Sequence, residues 1–147
     1  MRTLAIDHGT RRIGLALSDE GGRWATPLEV LMVTDPAQAL EPIAKLIVKE
    51  GVQRVVIGLP LNMDDGSISG QARLTIAWAD KLSALTGIPT TYVDERLSSF
   101  EAEQQLIGLK RQGAKMTRKS KKKTLDAVAA AGFLQEFLDG KLPPITP

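Results

Sequence analysis

The chain has 147 residues, a formal net charge of +2, no cysteine and a single histidine, His8. That length suits one domain, residues 1–147, with a core of its own. The composition excludes disulfides, cysteine nucleophiles and multi-histidine zinc sites. No leader pattern or bilayer-length apolar run is read from it, so a cytoplasmic protein with no membrane partner is expected.

In chain order, residues 4–7 and 13–18 read as two antiparallel strands joined by the loop His8-Gly9-Thr10-Arg11-Arg12. Residues 26–33 read as a third strand, with Pro27 suiting an edge. Asp35-Pro36 is a helix start, but Pro42 conflicts with an uninterrupted helix. Either the helix kinks at Pro42 or it begins near Glu41. Gly51 ends it, and Arg54-Val55-Val56-Ile57-Gly58 follows as a strand buried on both faces. The segment 59–66 is a loop, 69–85 a second helix, and 90–93 a strand running into Asp94-Glu95-Arg96. Ser98 with Glu101 has capping-box spacing, which predicts a helix over 98–107. A basic loop is expected over 108–120 and a last helix over 122–138, with His8 in the first loop. Three antiparallel strands followed by parallel crossovers predict an α/β fold. Its sheet should be five-stranded and mixed, flanked by helices, with strands one, four and five parallel.

In such sheets ligands gather at the carboxyl ends of the parallel strands. Asp7 ends the first strand, and Asp94-Glu95 end the fifth. Neighbouring strand residues face opposite ways, so only one of Asp94 and Glu95 should face the rim. The longer arm of Glu95 favours it. Asp126 lies three and four residues before Ala129 and Ala130 and seven before Phe133, on the apolar stripe of the last helix. The alanines around it would let that helix approach the sheet and carry Asp126 toward Asp7. Three converging carboxylates repel one another unless cations compensate them. All-oxygen ligation suits one or two Mg²⁺ or Mn²⁺ ions, and such sites hydrolyse phosphodiesters.

The cations are unevenly spread. Arg118, Lys119, Lys121, Lys122 and Lys123 belong to one basic block just before Asp126. A helix start disfavours cations, so phosphate neutralisation is the better account of these lysines. Arg11, Arg12 and Arg96, beside the acids, could clamp phosphate or pair with the carboxylates. Aromatic residues are few, so recognition should lean on backbone and shape.

Four ordered pieces, AIDHGTRRIGLALSD, VVIGLPLNMDDG, VDERLSS and LDAVAAAGFLQ, resemble the YqgF/RuvX family over nearly the whole chain. Each is weak alone, but together they are highly specific. The resemblance implies an RNase H-like fold and a nuclease role in maturation of precursor 16S ribosomal RNA, with ribosomal particles as partners. It maps the family's acidic residues onto Asp7, Glu95 and Asp126. A Holliday-junction resolvase acting on branched DNA is the alternative, and two cuts would need a dimer. Monomer or homodimer therefore stays open. A non-catalytic RNA-binding protein and a nucleotide-binding ATPase module are rivals of other classes. The ATPase needs two lobes and more chain than this.

Overall fold

The structure, a computed structural model, describes residues 1–97 and 118–147, and only the backbone of 118–124. Its elements are β1 (Thr3–His8), β2 (Arg12–Ser18), β3 (Ala25–Met32), α1 (Leu40–Glu50), β4 (Arg54–Leu59), α2 (Gly70–Thr86), β5 (Thr90–Asp94) and α3 (Arg118–Leu138). The sheet order is β3-β2-β1-β4-β5. β1 pairs antiparallel with β2 and β2 with β3, whereas β1–β4 and β4–β5 are parallel. This is the expected mixed sheet.

Strand alternation divides the core into two layers. Leu4, Ile6, Ile13, Leu15, Val55 and Ile57 pack with Ile43 and Ile47 of α1 and Trp78, Ala79 and Leu82 of α2. Ala5, Ala16, Val56 and Val93 pack with Ala130, Ala131, Phe133 and Leu134 of α3. Burial on both faces explains the unbroken apolar run of β4. β3 is a largely exposed edge that accommodates Pro27. The other edge, β5, meets the tail through Ile145, whose N–H donates to the Tyr92 carbonyl at 2.8 Å.

Several expectations change. The conflict at Pro42 resolves because a short 3-10 turn, Pro36–Ala39, precedes α1. Pro42 then falls in the first turn of α1, where a backbone N–H has no helical partner to lose. Asp35 caps the 3-10 turn in a capping box with Gln38. His8 is not a loop residue; it is the buried last residue of β1. α3 starts at Arg118, so residues 118–120 are helical, not loop. Lys121 thus closes its first turn and Lys122 and Lys123 fall in its second, where the helix dipole weighs less. The expected helix over 98–107 and the rest of the basic loop, 108–117, lie outside the described residues.

Candidate active site

Two glycines set the approach of the acids. Asp7, on the Ala5 face of β1, pairs across the sheet with Gly14 of β2. A Cβ on Gly14 would overlap the Asp126 carbonyl and reach within 3.0 Å of the Ala127 nitrogen. The backbone of α3 therefore rests directly on β2, with Asp126 beside Asp7. Gly58 of β4 does the same for the third acid. A Cβ there would stand 3.3 Å from Glu95 Cβ and 3.1 Å from the Phe133 ring. Glu95 itself follows β5 in a 3-10 turn, Glu95–Leu97. Asp7, Glu95 and Asp126 line one open cleft of about 360 Å³, together with Gly9, Thr10, Arg11, Arg12, Pro60 and Gln71.

Asp7 and Glu95 are hydrogen-bonded to each other. Both keep some surface on the cleft but are packed round by protein, so desolvation dominates their ionisation. Burial raises the Asp7 carboxyl, and the Asp126 charge adds to that, against the Glu95 hydrogen bond and Arg12. Glu95 is pushed up to about 10, first by burial, then by the hydrogen bond and charge of Asp7, then by Asp126 and Asp94. Two such carboxyls cannot both ionise cheaply, and the metal-free pair holds one proton between them.

Asp126 is held differently. Its Oδ2 accepts from Arg12 Nε at 2.7 Å. With the side chains so engaged, no three His, Cys, Asp or Glu residues among those described stand as a ready metal cage. The donor set still fits a hard cation. All three acids offer oxygen, and the proton on Asp7 and Glu95 marks a place where positive charge is wanted.

Asp94 faces away from this pair and is bound to Arg96, through Nε at 2.9 Å and Nη2 at 2.6 Å. That contact lowers the Asp94 carboxyl below its usual range. Arg96 Nη1 also donates to the Asn62 carbonyl at 3.0 Å, tying the 60–66 loop to the end of β5. The Arg96 guanidinium is thus committed to protein partners. Arg11 lines the cleft beside Arg12. Arg118, Lys119, Lys121, Lys122 and Lys123 lie on the N-terminal part of α3, and their side chains are outside the described ones.

His8 packs on Trp78 with ring centroids 4.8 Å apart. Burial lowers its pKa, so the ring is neutral. The Thr75 hydroxyl donates to the Gln71 carbonyl at 3.0 Å, so His8 Nδ1, 3.1 Å away, donates to Thr75 Oγ1. Nε2 then carries a lone pair, and it is buried without a partner among the described residues.

The reading from sequence passed over Gly14 and Gly58. The available signal was their place on strands at positions sharing a face with Asp7, where a side chain would otherwise project toward the last helix.

An acid-rimmed sheet of this order, with a helix seated on glycine, defines an RNase H-like α/β domain. Thermus thermophilus RuvC solved in complex with a Holliday junction substrate superposes with a TM-score of 0.60, at 18% identity, covering 99% of this chain and all of that one. A further T. thermophilus RuvC structure gives the same TM-score at 15% identity. The family model described as "RuvX: Holliday junction resolvase" matches residues 1–140, and the chain belongs to this family. A relative from Chloroflexus aurantiacus is 42% identical over 94% of this chain and 86% of its own. One from Anaeromyxobacter sp. (strain Fw109-5) is 43% identical, with 96% and 98% covered. Both carry the name "Putative pre-16S rRNA nuclease".

Proposed function

We propose that residues 1–147 form one nuclease domain that hydrolyses phosphodiester bonds in a divalent-metal-dependent reaction, in 5′-end processing of precursor 16S ribosomal RNA. The observation that carries this reading is the convergence of Asp7, Glu95 and Asp126 on one cleft, with Asp7 and Glu95 packed round by protein. Family membership and the names of the relatives supply the substrate class. Asp7, Glu95 and Asp126 would hold one or two Mg²⁺ or Mn²⁺ ions, whose chemistry is to lower the pKa of water and stabilise the leaving oxygen. To hold such an ion Asp7 and Glu95 would release a proton to solvent and Asp126 would turn from Arg12, which with Arg11 would then face the substrate phosphate. The basic first turns of α3 extend the phosphate-facing edge from Arg118 to Lys123. Arg96 acts through the loop it holds. A cytoplasmic location and ribosomal particles as partners follow from this task.

The test is cleavage of precursor rRNA, other RNA and junction DNA with Mg²⁺ and Mn²⁺. Asp7→Asn, Glu95→Gln and Asp126→Asn should each abolish cutting while leaving the fold and RNA binding intact. Unchanged cutting by any one removes that residue from the mechanism. The description of the family favours junction resolution as a second reading. Symmetric cutting needs two sites, so a strict monomer in sedimentation at micromolar concentration rules it out.

A further inference from the structure

Gln71, Leu74, Trp78 and Lys81 follow one another along α2 at intervals of three, four and three residues. That spacing puts them in one row about 15 Å long. Between the row and the turn that begins at Pro36 lies a second cavity of about 260 Å³. It shares His8, Thr10 and Gln71 with the catalytic cleft, so it adjoins the cleft with His8 as part of the wall between them. Its frame is rigid. The buried Trp78 donates its indole N–H to the Pro36 carbonyl at 2.8 Å, bracing α2 against the turn. The Asp35 carboxylate is turned to the Ala37 N–H at 3.0 Å.

Two side chains of the row are unspent. Leu74 is 60% exposed, a large apolar group with no core role. Lys81 makes no ion pair among the described residues. An apolar contact followed by a free cation, leading off a phosphodiester-cutting cleft, is the pattern of a groove for one unpaired strand. The cavity has room for a base and its sugar but not for a duplex.

We propose that this cavity receives the single-stranded nucleotides on one side of the scissile phosphate. A base lies on Leu74 and Pro36, and Lys81 meets the backbone phosphate beyond it. The proposal rests on the nuclease reading above and extends it by naming where the substrate strand runs and that it is unpaired there.

The experiment is a length series of single-stranded oligoribonucleotides, extended one nucleotide at a time on each side of the mapped cleavage point. Binding is followed by fluorescence anisotropy with the full chain carrying Glu95→Gln, which should bind without cutting. Affinity should rise several-fold over successive additions on one side. Adding Leu74→Ala or Lys81→Gln should remove that rise while leaving the shortest oligonucleotides bound as before. Lys81→Gln should also lower the slope of log affinity against log salt by about 0.7 for the long members. Lys49→Gln, an exposed cation on α1, should keep the parent profile. Leu74 and Lys81 variants that follow the parent's length profile overturn the subsite alone. A parent that binds no oligonucleotide of any length overturns the nuclease reading as well.

Discussion

The two faces of the central sheet are made of opposite materials. Toward α1 and α2 they present Leu4, Ile6, Ile13, Leu15, Val55 and Ile57. Toward α3 they present Ala5, Gly14, Ala16, Val56 and Gly58. Large side chains keep a helix at arm's length and bury much apolar area. Small ones give up area but let a helix backbone touch the strand, as α3 does at Gly14. One face of the sheet therefore carries the larger side chains, and the other gathers the acids.

That contrast can be broken from either side. The greatest loss of stability is expected on the large-residue face. Ile6→Ala should cost about 2–5 kcal/mol in denaturant unfolding, while each molecule that remains folded still cuts. On the other face Gly14→Ala should cost less, about 1–3 kcal/mol from overpacking, yet lower cleavage by orders of magnitude because Asp126 is pushed away. Gly14→Ala cutting at the parent rate would detach the position of Asp126 from the approach of α3.

The same contrast has a pH signature. In the metal-free protein burial, with the neighbouring acids, pushes Glu95 up to about 10 from an ordinary value of 4.5. Between those values the folded state keeps a proton that the unfolded chain has released. Stability from this group is thus fully present below pH 4.5 and lost as pH rises toward 10. Melting temperature in chelator should fall across that window, and Glu95→Gln should flatten the fall, as should saturating Mn²⁺. A chelator profile that is the same in Glu95→Gln and parent would mean that the proton is held elsewhere. The smallest effect is expected at His8, which lies against α2. His8→Phe removes a buried lone pair without a donor but also the bond to Thr75, so unfolding free energy should move by no more than about 1 kcal/mol.

Period and punctuation in the sequence were enough for the strand order of use: antiparallel start, buried β4, parallel crossovers and the helix stops at Gly51 and Gly87. These are local signals, set by which residues tolerate a turn and which need burial. That Asp7 and Glu95 meet at one rim was also legible, because strand ends in a parallel sheet share an edge. What the sequence left open was the start of α1 around Pro42, decided by the 3-10 turn that Asp35 caps; what it misplaced was His8, which pairs with Ile13 at the end of β1 and rests against Thr75 and Trp78 of α2.

The amino-acid order by itself determined which residues are acidic, basic, small or large on each strand, and hence the sheet and its two unlike faces. Only the tertiary structure decided that Asp94 turns to Arg96, that Glu95 is set against Asp7, and that Arg12 holds Asp126 from 114 residues away. The reason is physical: propensity and periodicity act over a few neighbouring residues, whereas a charge chooses its partner by distance in space and by the water it loses, which exist only once the chain has folded.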